Sequence, residues 1–360
     1  MAALIGLAVV VLAVVVLGGS GGTPSSGSGR SAGIGSAGSG AGAGRQSAGT
    51  SQAGGGSGTV AVKATAAASL PAPLSREGVV ALPGGELLIL GGLTSVDTSS
   101  AAVSILDPSR GSLNRVGSLV APTHDAGTTL LGSQALMAGG GQATSVATVQ
   151  AVPLPAAGAG SASAQATAVG QLPQVRSDDG AVTIGGVAYV VGGYDGSSPD
   201  PEVLSTSNGS SFTPVAALPV PVRYAGVVAV GGRIYVVGGE AVTGSSAGQP
   251  VNDVQVVNPA RGTATVVAHL PEPVEGAAAL DLGGTVVVAG GDVLGSGVGG
   301  AVTNATVWAL DPHSLRITVA GQLPTPVAYA GSAVSGSTGW LVGGEDGGAV
   351  VASVVRLTLS

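Results

Sequence analysis

Six times in this chain a short apolar run ends in a pair of adjacent glycines. The pairs are Gly91-Gly92, Gly139-Gly140, Gly192-Gly193, Gly238-Gly239, Gly290-Gly291 and Gly343-Gly344. From one first glycine to the next the steps are 48, 53, 46, 52 and 53 residues. The runs that lead in are LLIL, ALMA, AYVV, IYVV, VVVA and GWLV. About twenty residues upstream of five pairs stands Leu-Pro, at Leu70, Leu172, Leu218, Leu270 and Leu323, and the remaining copy has LVAP ending at Pro122. Short strands recurring every fifty residues or so cannot bury their apolar faces singly. They bury them against the next copy, as the blades of a β-propeller do.

Residues 218–240, LPVPVRYAGVVAVGGRIYVVGGE, show the unit most plainly. A proline bend is followed by Arg223-Tyr224, a strand, a Gly231-Gly232 turn, and a second strand running into the closing glycines. Turn glycines supply the positive φ that a two-residue hairpin loop requires. The closing pair lets one backbone approach another where a β-carbon would intrude. In this form the repeat resembles the Kelch family, whose blades carry an apolar run ending in Gly-Gly, and the resemblance extends over residues 59–360 in six copies of one phase. It implies an all-β, six-bladed propeller. It also implies partner binding through the loops, which Kelch propellers commonly use. The chain departs from the family in its aromatics. A Tyr and then a Trp usually follow the glycine pair; here Leu106 and Leu113, Leu204 and Phe212, and Leu310 and Leu315 take those places. Aliphatic side chains must therefore supply the packing, with less buried area per residue.

The two ends of the chain are read together. Residues 1–19 contain the unbroken apolar run AALIGLAVVVLAVVVL, long enough for a retained membrane anchor or a signal segment. No basic residue precedes it, so the native start is expected upstream. Residues 20–58 are mostly Gly, Ser and Ala, which cannot bury enough surface to offset ordering, and they read as a flexible tether. The expected location is the cell membrane, with the propeller on its outer side. Residues 59–70, TVAVKATAAASL, resemble the fourth strand of a blade, whereas the chain ends just after a third strand at 353–359. The N-terminal strand is therefore expected to complete the sixth blade and leave no open seam.

Inner strands are expected at 78–82, 126–131, 180–184, 226–230, 276–280 and 331–334. Third strands are expected at 103–106, 254–257 and 307–310. Asp107-Pro108, Asn258-Pro259 and Asp311-Pro312 then mark turns.

Propeller loops alternate between two faces, and the charges sort unevenly between them. Fifteen of the 19 acidic residues fall near the face carrying the loops after second and fourth strands. Among these, Asp125, Asp178, Asp195, Glu240, Asp292, Glu345 and Asp346 are candidate ligand contacts. Arg76, Arg176, Arg223, Tyr224 and Tyr329 precede inner strands on the same face and are candidates beside them. An acidic loop face suits a protein or cationic ligand. With net charge −7 and no basic stripe, nucleic acid is not an expected partner.

No cofactor or metal is expected. His124, His269 and His313 fall at three different blade positions, and the chain has no cysteine. The copper-oxidase branch of Kelch-like propellers, which needs a cysteine-modified tyrosine, is thereby excluded. An epimerase or lyase built on channel arginines, tyrosines and carboxylates stays open as an alternative to non-catalytic binding. The sequence places no acid–base pair for it.

Overall fold

The computed structural model describes residues 60–155, 164–241, 248–294 and 301–360. The apolar run and the tether, residues 1–58, lie outside them. Among the described residues, all of which lie in the compact unit Ser57–Ser360, the regular elements are all strands. Among the described residues no helix is long and apolar enough to cross a membrane.

Among the described residues the strands form six four-stranded antiparallel sheets, with further short two- and three-stranded ribbons at the loops. The first sheet runs Gly78–Ala81, Leu87–Leu90, Ala102–Asp107, Ser112–Ser118 from inner edge to outer. Four more repeat that order in sequence, from inner strands Gly127–Leu131, Gly180–Ile184, Gly226–Val230 and Ala278–Leu282. The last differs. After Gly331–Ser335, Thr338–Val342 and Ser353–Leu359, its outer strand is Val62–Ser69 from the other end of the chain. That strand pairs antiparallel with Ser353–Leu359, from Val62 opposite Leu359 to Ser69 opposite Ser353.

Apolar packing explains why the second strands are unbroken hydrophobic runs. Each lies inside its sheet with both faces covered, so Leu87, Leu88 and Leu90 are wholly buried, and Ile234 and Val236 likewise. Six hydrophobic clusters fill the spaces between successive sheets. One of them joins Leu87, Ile89 and Leu106 of the first sheet to Trp340, Val342 and Val354 of the last. At about 1.5–3 kcal/mol for each fully buried Val or Leu, aliphatic area replaces the missing rings. Leu106, Leu204 and Leu310, at the aromatic positions, are at most 1% exposed. The architecture is that of a β-propeller.

The glycine pairs stitch neighbouring sheets together. The second glycine of each pair donates its N–H to a carbonyl of the following sheet's entry segment. Gly92 bonds to Thr123, Gly140 to Arg176, Gly193 to Val222, Gly239 to Val274, Gly291 to Val327 and Gly344 to Leu74, at 2.7–2.9 Å. A β-carbon on the first glycine would sit 2.1–2.6 Å from the same carbonyl oxygen. The pair is therefore a site of close backbone approach, and the last link joins the last sheet to the first.

The inner strands lie within one residue of their expected bounds except the fifth. The fifth starts at Ala278, two residues later than the sequence reading put it, because Gly276 adopts φ 62° and is not extended.

Candidate ligand site at the channel mouth

Just ahead of each inner strand, one residue turns into the left-handed region. These are Arg76 (φ 58°), Asp125 (52°), Asp178 (59°), Tyr224 (54°), Gly276 (62°) and Tyr329 (52°). Each donates its backbone N–H to the carbonyl of the one before. Asp125 bonds to Arg76, Asp178 to Asp125, Tyr224 to Asp178, Gly276 to Tyr224, Tyr329 to Gly276 and Arg76 to Tyr329, at 2.8–3.0 Å. The six bonds close a ring at one end of the central channel.

This ring brings the side chains together. Residues of the ring and their successors line a cavity of about 150 Å³. Beneath it lies a channel of about 520 Å³ walled mainly by Gly, Ala, Val and Thr of the inner strands. The residue before each ring position is bridged to the residue after the same sheet's glycine pair. In this way Arg223 faces Glu240, Ala328 faces Glu345 and Glu275 faces Asp292.

Two ion-pair networks form the mouth. Arg76 Nε donates to Glu345 Oε1 at 2.6 Å and Nη1 to Asp125 Oδ2 at 3.1 Å and the Tyr224 hydroxyl at 3.1 Å. Its guanidinium lies 4.2 Å from the Tyr329 ring centroid and 5.2 Å from that of Tyr224, within cation–π range. Arg223 pairs with Glu240 at 2.7 Å, and Asp178 stands 3.6 Å away. Arg223 also covers Tyr194 and Tyr224 at 4.8 and 5.1 Å. Tyr224 and Tyr329 meet edge to face with centroids 5.2 Å apart. The Tyr329 hydroxyl donates to Glu275 Oε1 at 3.1 Å.

Burial governs the protonation of this cluster. It pushes Glu77 up to about 8, Asp178 to about 7 with the charge of Asp125 adding to it, and Glu275 to about 7 with Glu240 adding. Asp179 is held well above the usual carboxylate range, also by burial. Asp125 is raised because burial outweighs the pull of Arg76. Desolvation raises both Tyr224 and Tyr329 as well, so neither is a ready base.

Of the candidate residues, Arg76, Asp125, Asp178, Arg223, Tyr224, Glu240, Tyr329 and Glu345 converge here. Asp292 stands beside them, opposite Glu275, and accepts from Thr303 Oγ1 at 2.8 Å. Three candidates do not join. Arg176 is 1% exposed, paired with Asp200 at 2.5 Å and donating to the carbonyls of Gly192 and Glu202. It stands two residues before its ring residue, one place earlier than Arg223, and that step turns it into the interior. Asp195 caps its own exposed turn, accepting from the amides of Ser197 and Ser198. Asp346 lies exposed on a hairpin beyond the mouth. The sequence reading left out Glu77, Asp179 and Glu275. Their signal is position: the first two directly follow a ring residue, and the third directly precedes one.

Among the described residues no group of three His, Asp or Glu side chains is placed to hold a metal ion. The Kelch motif matches residues 221–265, a stretch that includes Arg223, Tyr224 and Glu240. No curated protein matches the chain significantly in sequence. Among solved structures, that of YjhT, a Kelch-type propeller, aligns over 81% of this chain and 99% of its own. The TM-score is 0.67 at 16% identity, a likeness of fold.

Proposed function

We propose that this chain is a six-bladed Kelch-like propeller, closed by its N-terminal strand, that binds a small hydroxyl-rich ligand at the channel mouth. One observation carries the reading. A left-handed φ costs a residue with a β-carbon about 1–2 kcal/mol, and Gly276 occupies one ring position without that cost. Five of the six positions nevertheless carry side chains, and those side chains converge on one cavity. Strain concentrated where polar groups meet is a property of ligand sites.

A neutral ligand fits better than the cationic one expected across a broad acidic face. Burial pushes Glu77 up to about 8 and Asp178 and Glu275 to about 7, so their formal charge overstates the field at neutral pH. Both mouth arginines are already matched by carboxylates. Such pairs offer a donor and an acceptor side by side, which suits vicinal hydroxyls without leaving a charge unpaired. The apolar run at residues 2–17 and the tether behind it support export and membrane attachment.

A second reading is a carbohydrate-active enzyme of epimerase or lyase type. It is favoured by Asp178, the ring residue before Tyr224, and Glu275, the sequence neighbour of the ring residue after it; burial pushes both up to about 7, the range in which a carboxyl gives or takes a proton.

Titration of the full chain with neutral mono- and disaccharides, followed by calorimetry, tests the binding reading. Binding that Asp178→Asn and Tyr224→Phe both weaken supports the mouth; binding indifferent to both places the ligand elsewhere. Incorporation of solvent deuterium into a bound sugar would favour an enzyme of the kind that abstracts a proton from carbon.

A further inference from the structure

The mouth has a neighbour. Between the ribbon Leu74–Ser75/Leu93–Thr94 and the ribbon Glu345–Asp346/Ala349–Val350 lies a second cavity of about 450 Å³. Arg76 lines both this cleft and the mouth. Its Nη1 reaches Asp125 on the mouth side while its Nε is held by Glu345, which lines the cleft. One side chain therefore separates the two spaces.

The mouth alone is small for a ligand. The mouth, at about 150 Å³, falls below the ~300–1,000 Å³ of ordinary small-molecule pockets. The cleft, at about 450 Å³, is some three times larger, and the two together lie well inside that range. The channel on the other side carries the hydroxyls of Thr128, Thr129, Thr183 and Ser332, but most of its wall is Ala, Val and Gly.

The cleft wall has its own chemistry. Ser95 and Asp97 contribute a hydroxyl and a carboxylate along one rim, and Leu93, Ala349 and Val350 contribute apolar surface. The opposite rim turns through Gly347-Gly348, at φ 58° and 78°, and a β-carbon at either glycine would meet open space. The hairpin itself requires these glycines. A further consequence is a bare rim that an incoming chain can approach closely. Polar edge, apolar face and uncrowded backbone together match successive rings of a neutral sugar chain.

We infer that the ligand is a linear neutral oligosaccharide, one unit of which sits in the mouth while the next units lie along the cleft between the first and last sheets. Arg76 and Glu345 form the boundary between the two subsites. The inference rests on the mouth reading proposed above and adds the length and direction of the ligand to it.

The test uses the full chain and neutral β-1,4-linked oligomers of glucose, mannose and N-acetylglucosamine, one to six units long, by calorimetry. For the series that binds, affinity should rise roughly tenfold or more from one unit to three and then level off. Ser95→Trp, on an exposed loop, should fill the cleft and remove that gain while leaving the affinity for a single unit unchanged. Asp178→Asn should weaken every length. Thermal melts of both variants check that the fold is intact. Affinity independent of length, with Ser95→Trp silent and Asp178→Asn harmful, would overturn the cleft and keep the mouth. If Asp178→Asn is silent as well, or no oligomer binds, both readings fall.

Discussion

The backbone N–H of Arg76 donates to the carbonyl oxygen of Tyr329 at 2.9 Å, and this bond joins the entry of the first sheet to the entry of the last. Two more devices cross the same seam. Gly344 donates to the Leu74 carbonyl at 2.8 Å, and Val62–Ser69 pairs along Ser353–Leu359. The seam where the chain's two ends meet is thus built from the same bonds as the other five junctions, with one borrowed strand added. The Arg76–Glu345 pair of the proposed site spans this junction too, so closure and recognition depend on shared residues.

Removal of residues 1–70 should therefore unfold the propeller broadly. It would strip the last sheet of its outer strand, uncover Leu357 and Val355, and take Val62 and Leu70 out of two hydrophobic clusters. The expected result is loss of a cooperative urea transition, or a midpoint far below that of the full chain. An unchanged midpoint would show that the seam contributes nothing.

Gly238→Ala and Gly231→Ala separate close approach from turn geometry. Both residues have positive φ, 62° and 58°. At Gly231 nothing stands within 4 Å of the added carbon, so the cost is the left-handed strain of about 1–2 kcal/mol. At Gly238 the carbon would lie 2.2 Å from the Val274 carbonyl oxygen, which adds forced displacement of a neighbouring backbone. The total there should reach at least about 3 kcal/mol. Equal losses in denaturant titrations would mean that the glycine pairs do not clamp the sheets.

These glycines also explain what could be read in advance. A glycine forced by a neighbouring backbone recurs wherever that contact recurs, so the period, the sheet count and the apolar second strands are all visible as letters. Inner strands Gly180–Ile184 and Gly226–Val230 fall where the pattern puts them. The site is less legible because one residue of register decides whether a side chain faces the mouth or the core. Arg176 looks like Arg223 on paper and lies buried one step earlier. Glu77 and Asp179 read as loop charges, yet both have carboxylate oxygens shielded from solvent without a well-formed hydrogen bond. Charge counted along the chain gave an acidic face; burial changes what much of that charge is.

Asp178→Gly tests whether the ring side chains serve the fold or the ligand. The substitution relieves a left-handed residue and removes a buried carboxyl whose nearest cation is 3.6 Å away. Glycine already serves at position 276, so stability at pH 7 should hold or rise by about 1 kcal/mol. Ligand binding should be lost. A destabilisation above about 2 kcal/mol, measured by urea unfolding, would make the side chain structural.

The pH profile of stability follows from the buried carboxyls. Burial raises Glu77 from 4.5 to about 8, with the nearby charge of Glu345 adding to the effect. Between those values the folded chain keeps a proton that the unfolded chain has released. The folded state binds more protons there, so unfolding free energy falls as pH rises. Asp178 and Glu275, raised to about 7, act in the same direction over a narrower window. At the acid end the sign reverses. Asp107, lowered to about 2 mainly by the Ser109 hydroxyl, and Asp311, lowered by the His313 amide and the Ser314 hydroxyl, favour the fold above 3.8, and that contribution is lost as they protonate. The melting temperature should therefore peak near pH 5 and decline toward pH 8. Glu77→Gln keeps the shape of the neutral acid and cannot ionise, so it should flatten the decline and raise the melting temperature at pH 8. A wild-type profile level from pH 5 to 8, or a variant with the same slope, would show that Glu77 is solvated and ionised in the native protein.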